Sequence, residues 1–226
     1  MNEVRLFKNL RLYRSDLEYP PTEWSADFKN KKYDGTNKGL GHKNKANMFF
    51  FTDSENSARL MAKSECIEVG KLEYYLTTTY AQNVKLIDFI NRNNIYQMLC
   101  LLKDIDIDVL VSDFKTYNDN QIVETFSKFK SYFDLAETNP SNKVDIVKNI
   151  ITFDNNKNPN WNVMLFGQRL TDFDNGILFR KLIQNKYPDI DGYMWKEDIN
   201  YNGITYCLFD SKKLDNNKKV IVCNYE

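Results

Sequence analysis

The sequence predicts a single mixed α+β domain whose sheet is built from both ends of the chain. Strand-like segments rich in aromatic and β-branched residues occupy about the first 90 residues and return after about residue 190. Between them, apolar residues recur at helical spacings of three and four. We therefore expect one domain over residues 1–226, with a largely helical insertion over residues 91–175.

The first strand is predicted within residues 4–16, VRLFKNLRLYRSD, where alternation puts Leu10, Leu12 and Arg14 on one face. An arginine on the core side of a strand end requires an anion, which is either a structural carboxylate or a ligand phosphate. The irregular stretch that follows, residues 15–47, has the length of a functional or disordered loop. Its lysines, from Lys29 to Lys45, form either a solvated loop or one that contacts phosphate.

A strand followed directly by a helix is predicted in the segment MFFFTDSENSARLMAKSE. The aromatic run from Met48 is typical of a buried strand, and Thr52 with Glu55 forms a capping box for a helix that reaches about Ser64. Such a helix start offers N–H groups and a positive dipole end to a phosphate or carboxamide group. Further strands are expected over residues 71–80, 83–89, 192–195, 204–210 and 220–224, and a helix over residues 175–187.

Composition narrows the class of protein. Lys plus Arg and Asp plus Glu are both 31, so no net field attracts nucleic acid or an anionic membrane. The four cysteines lack CxxC spacing and only one histidine accompanies them, so we expect buried thiols and no metal site. No long apolar run or N-terminal leader is evident, which predicts a cytoplasmic protein or one delivered to another cell by a leaderless route.

Three motifs stand in order along the chain: LYRSD on the first strand, FFFTDSENSA at the strand-to-helix turn, and DGYMWKED with GITYCLFDSKKL near the end. In this order they resemble the ADP-ribosyltransferase fold family, particularly its bacterial and phage-encoded members. The resemblance covers about half of the chain and leaves the insertion unassigned. The matching residues are Tyr13, Arg14, Phe50 to Ala58, Asp191, Gly192 and Tyr206 to Leu214.

The resemblance implies that NAD is the substrate and that several of these residues bind it. Arg14 would bind the diphosphate or the adjacent ribose, because a guanidinium donates well to paired phosphate oxygens. Tyr13 would stack on the nicotinamide. The nicotinamide side of the site would be shaped by Phe50, Phe51 and Thr52, with Ser54 or the helix N-terminal amides nearby.

Catalysis is assigned by the resemblance to the acidic turn in WKED. Glu197 would hold the 2′-hydroxyl of the ribose and stabilise the positive charge that develops as nicotinamide leaves. Asp198 is the alternate acid, and one of the pair would act as general base. Many family members carry the acid at the start of the last conserved strand, where this chain has Thr205. Either the acid has moved to the turn, or the site is degenerate and the pair is a solvated hairpin.

The resemblance thus predicts a mono-ADP-ribosyltransferase, a glycosyltransferase that uses NAD, of the toxin, effector or phage-defence kind. It would transfer ADP-ribose to a macromolecular acceptor, either a protein or, as a lower-ranked alternative, DNA or RNA. A neutralising antitoxin or inhibitor is a further expected partner, and no membrane or metal is expected. The alternative is a catalytically degenerate module that binds a protein partner through the helical insertion.

Overall fold

The structure, a computed structural model, describes residues 4–20, 22–24, 48–90, 134, 138, 177–196 and 202–225. The expected helical insertion over residues 91–175 lies outside these residues except for two isolated helical positions, Asp134 and Thr138. The described elements are β1 (Val4–Asp16), β2 (Phe49–Thr52), α1 (Glu55–Val69), β3 (Glu73–Asp88), α2 (Ile177–Lys186), β4 (Gly192–Trp195), β5 (Thr205–Leu208) and β6 (Lys219–Asn224).

The strands form one mixed sheet in the order β1-β2-β5-β4-β3-β6, and β1 also pairs with β3. This additional pairing closes five strands into a barrel and leaves β6 as an extension alongside β3. The β3–β4 pair is parallel and the other pairs are antiparallel. The α+β class is therefore confirmed, with strands from both ends of the chain in the same sheet.

The longest pairing joins β1 to β3, from Val4 opposite Ile87 to Asp16 opposite Tyr75. The two strands predicted over residues 71–80 and 83–89 are therefore a single strand, Glu73–Asp88. Asn83 lies within it with a φ of 50°, and asparagine tolerates this left-handed conformation better than most residues do. The polar break in the sequence is thus a local distortion of a continuous strand and not its end.

Alternation along the strands divides the core into two layers. Inside the barrel the buried residues include Leu10, Leu12, Trp24, Phe49, Phe51, Leu86, Met194, Tyr206 and Leu208. Between α1 and the outer face of β1 and β3 lie Tyr13, Ala58, Ala62, Cys66, Tyr74, Leu76 and Cys223. Neighbouring residues of one strand, such as Leu12 and Tyr13, therefore belong to different layers.

The helix that follows β2 starts and ends later than the sequence predicts. Its N-cap is Ser54, whose side chain accepts from the backbone N–H of Ser57, and it extends to Val69. Gly70 ends it in the left-handed conformation, with a φ of 68°. Thr52 does not cap the helix because its backbone is still paired in the sheet with Thr205.

The remaining predicted elements differ little from those observed. The range 192–195 is confirmed as β4, while β5 covers only Thr205–Leu208 of the predicted 204–210. The predicted final helix and strand correspond to α2 and β6, with ends that differ by one or two residues. Among the described helices, neither is long and apolar enough to cross a membrane.

Candidate functional site

The three sequence motifs lie side by side in the sheet. Tyr13 of β1 is opposite Thr52 of β2, Thr52 is opposite Thr205 of β5, and Thr205 is opposite Trp195 of β4. All four residues are buried. We call them the cross-strand row. Segments that are about 180 residues apart in sequence are therefore adjacent across four neighbouring strands.

The predicted cofactor residues are divided between the two faces of this sheet. Tyr13 packs against α1 on the outer face, and the Phe50 ring lies 6.0 Å from that of Trp195. Phe51 faces the barrel interior, where its ring centroid is 5.2 Å from that of Trp24. The division follows from strand alternation, because residues 50 and 51 must point in opposite directions.

Arg14 already has an anionic partner within the protein. Its Nε donates to both carboxylate oxygens of Asp16, at 3.0 and 2.9 Å, and its Nη2 donates to Oδ1 at 2.5 Å. The two side chains are only 8% and 5% exposed. Of the two alternatives open from the sequence, the structural carboxylate is therefore present. A role in phosphate binding would be additional to this ion pair and stays a prediction.

The start of α1 is occupied by hydroxyl groups and by a glycine. The backbone N–H of Ser54 donates to Thr52 Oγ1 at 3.2 Å, and that of Ser57 donates to Ser54 Oγ at 3.2 Å. The Gly203 N–H donates to Ser57 Oγ at 3.0 Å. A Cβ on Gly203 would lie 2.3 Å from Thr52 Oγ1, so only glycine fits against the helix start. Of the two residues predicted to face the cofactor, Ser54 caps the helix and Thr52 accepts a hydrogen bond from the Ser54 N–H.

Asp53 links the end of β2 to the beginning of β5 by hydrogen bonds. Its N–H donates to the Ile204 carbonyl at 3.2 Å, and its Oδ1 accepts from the Ile204 N–H at 2.8 Å. The Tyr206 hydroxyl donates to Asp53 Oδ2 at 3.3 Å. Burial, together with the Asp53 carboxylate, raises the pKa of Tyr206 above its ordinary value, so the phenol remains a donor. The sequence motif contained Asp53, but its pairing with β5 had no local signal.

Glu197 and Asp198, the predicted catalytic acids, lie outside the described residues. Of the described strands on either side of them, β4 ends at Trp195 and β5 begins at Thr205. Both of these residues belong to the cross-strand row. Thr205, at the position where the family resemblance expects an acid, is 5% exposed.

A half-buried lysine with a buried Nζ atom, which sequence reasoning missed, lies near Arg14. Lys218 Nζ is 4.1 Å from the centre of the Trp24 ring. Burial is the largest cause that lowers the pKa of Lys218 below its ordinary value, and the positive charge of Arg14 lowers it further while Asp16 partly opposes the shift. Lys218 precedes Lys219, which is exposed, and nothing in the local sequence distinguishes the two.

The described part of the chain contains no group of three or more His, Cys, Asp or Glu side chains that could hold a metal ion. Comparison with protein-family models, with curated proteins and with solved structures finds no match to this chain. The ADP-ribosyltransferase resemblance therefore stays a prediction based on its three motifs.

Proposed function

We propose that the protein is a mono-ADP-ribosyltransferase that consumes NAD. The observation that carries the proposal is the cross-strand row, in which three motifs that resemble the family's in sequence order occupy adjacent strands. Trp195 and Thr205, the described strand ends that precede and follow Glu197 and Asp198 in the sequence, belong to that row.

In such a site some of the described residues would contact the cofactor and others would hold them in position. Phe51, in the barrel interior, and Arg14 would contact the cofactor, with the guanidinium bound to the diphosphate. Tyr13, Thr52 and Ser54 would act as positioning residues, since Tyr13 packs under α1, Ser54 caps it and Thr52 accepts a hydrogen bond from the Ser54 N–H. Rigid elements of this kind keep catalytic groups in the productive geometry.

The reaction requires a carboxylate and an acceptor. The bond between the nicotinamide nitrogen and C1′ of the ribose breaks, and nicotinamide leaves with the bonding electron pair. The acceptor's nucleophilic atom forms the new bond to C1′, and its proton passes to the general base. A carboxylate hydrogen-bonded to the 2′-hydroxyl stabilises the oxocarbenium-like ribose, whose charge exists only near the transition state. Glu197 fills this role in our proposal, with Asp198 as the alternate acid or the base.

The first experiment measures nicotinamide release by chromatography when the full chain is mixed with NAD and cell lysate. We expect Glu197→Gln to lower the rate about 10²-fold or more, the loss typical of one preorganised electrostatic contact. Glu73→Gln is the matched control, because Glu73 is an exposed glutamate at the start of β3. A folded wild-type protein that releases no nicotinamide and modifies no macromolecule contradicts the proposal.

The acid and the acceptor are assigned by two further measurements. If Asp198→Asn abolishes turnover and Glu197→Gln does not, the catalytic role belongs to Asp198. A protein acceptor predicts label in the protein fraction with a shallow salt dependence. A nucleic-acid acceptor predicts a rate that falls steeply with salt, because phosphate contacts release counterions.

A second candidate function is a catalytically degenerate module that binds a protein partner. It is favoured by Thr205, which is buried where an acid is expected, and by the ion pair that already occupies Arg14. Titration calorimetry separates the two functions. NAD binding without nicotinamide release, or no NAD binding together with stable capture of one protein, supports the degenerate module.

A further inference from the structure

We propose that Lys218 and Thr77, next to Arg14, form a binding site for a phosphate-class anion at one end of the barrel. The proposal is based on two buried polar atoms, Lys218 Nζ and Thr77 Oγ1, which have no hydrogen-bond partner within the part of the chain that the structure describes. The site requires only an anion and does not depend on ADP-ribosyl transfer.

Strand pairing brings the polar groups of this site together. Thr77 of β3 is opposite Arg14 of β1 on one side and opposite Val220 of β6 on the other. Lys218 lies two residues before Val220, near enough to Arg14 and Asp16 that the first lowers and the second raises the pKa of its ammonium group. Strand β1, strand β3 and the residue that precedes β6 therefore contribute a guanidinium, a hydroxyl and an ammonium to one region.

The charges of this region do not cancel. Arg14 and Asp16 neutralise each other through their short hydrogen bonds. Within the described residues Lys218 forms no ion pair with a carboxylate, and its ammonium group lies against the face of Trp24. A buried ammonium group without a counter-ion is unfavourable, and native proteins rarely leave buried donors unpaired. One additional negative group would balance the region.

A phosphate group fits these requirements better than a carboxylate does. It carries up to two negative charges and has at least three acceptor oxygens, which suffice for an ammonium, a hydroxyl and a guanidinium donor. A carboxylate has two oxygens and a single charge. Charge-assisted hydrogen bonds are generally stronger than a cation–π contact, so a phosphate can draw Nζ away from the Trp24 ring.

The site can be reached from solvent by a movement of the lysine side chain. Lys218 is half-buried, and the preceding residues Asn216 and Asn217 are exposed on the connection between β5 and β6. The Lys218 side chain is a flexible four-carbon stem, so its ammonium group can move away from the Trp24 ring without a change in the barrel backbone.

The test uses titration calorimetry of the full chain with inorganic pyrophosphate and, separately, with ADP-ribose. We expect Lys218→Met to weaken binding at least ~10-fold, as the loss of one charge-assisted contact would. Lys219→Met is the matched control, since it removes the same charge from the adjacent, exposed position. Thr77→Val should weaken binding several-fold while leaving the unfolding temperature unchanged or higher, because the removed hydroxyl has no partner in the described part of the free protein.

The outcomes separate the sources of the phosphate. Binding of pyrophosphate alone supports a site for free phosphate compounds, and binding of both ligands with the same Lys218 dependence supports the diphosphate of a dinucleotide. Equal losses in Lys218→Met and Lys219→Met, or no binding of either ligand by the wild type, overturn the proposal. Nicotinamide release is measured separately, so a chain that binds pyrophosphate but never consumes NAD refutes the transferase and leaves this site standing.

Discussion

Replacing Asp16 by alanine should strongly destabilise the free protein. The substitution leaves the Arg14 guanidinium, which is 8% exposed, without the carboxylate that now accepts three hydrogen bonds from it. Removing one partner of a buried ion pair typically costs about 3–5 kcal/mol, because the remaining charge stays buried. This is a large part of the roughly 5–15 kcal/mol by which a domain is stable.

The double variant Arg14→Met with Asp16→Leu should be more stable than Asp16→Ala alone. It removes both charges and fills the space with apolar side chains, a change that is often neutral or stabilising for buried pairs. The matched control is Glu55→Ala, because Glu55 and Arg59 form an exposed i,i+4 pair at 2.7 Å. Exposed pairs of that kind contribute only about 0.3–0.5 kcal/mol.

The assay is urea unfolding followed by tryptophan fluorescence, since Trp24 and Trp195 are both buried and will report the loss of the core. Pyrophosphate should partly rescue Asp16→Ala by replacing the missing carboxylate. Saturation at a hundredfold excess over Kd adds about 2.7 kcal/mol. A loss of less than ~1 kcal/mol for Asp16→Ala would refute the reasoning, because it would mean that the guanidinium is not confined to this ion pair.

The other predictions concern packing and pH. Gly192→Ala should cost about 3 kcal/mol or more in urea unfolding, because its Cβ would lie 1.8 Å from the Cys207 carbonyl oxygen, a backbone atom that cannot rotate away. Gly70→Ala, whose Cβ meets open space at a φ of 68°, should cost only about 1–2 kcal/mol. The folded-state pKa of Lys218 is below the ordinary 10.5, so the stability of the wild type relative to Lys218→Met should rise as pH increases toward 10.5. Thermal unfolding at several pH values measures this difference, and a fall in it would contradict the prediction. For Tyr206, the folded-state pKa is above the ordinary 10.0, so the wild type should lose stability relative to Tyr206→Phe as pH rises above 10.0, and an unchanged difference in unfolding temperature would contradict this.

The sequence predicts those elements whose signals are local. Strand β4 has an unbroken apolar and aromatic run between Asp191 and Lys196, and its ends were predicted correctly. The helix start was displaced because Thr52 and Ser54 are both good caps. Pairing with Thr205 keeps the Thr52 backbone extended, so the second candidate takes the cap. A choice of this kind depends on a partner strand about 150 residues away.

The candidate site was predictable only where its residues have a local sequence signal. The need of Arg14 for an anion followed from alternation in β1, and Asp16 satisfies it. Lys218 was missed because it and Lys219 are chemically identical neighbours. Only the pairing of β6 with β3 determines that one enters the barrel end and the other faces solvent. The roles assigned to Glu197 and Asp198 remain predictions.

The closure of the barrel has a consequence for how the chain folds during synthesis. Strand β2 has one registered pair with β1, at Tyr13 and Thr52, but four with β5, which is made about 150 residues later. Until β5 leaves the ribosome, Phe49 and Phe51 lack most of the strand contacts that bury them in the folded protein. At about 5–20 residues per second, this interval lasts roughly 8–30 seconds. During that interval Phe49 and Phe51 lack their contacts with β5, so the barrel interior can close only after the last part of the chain has been made.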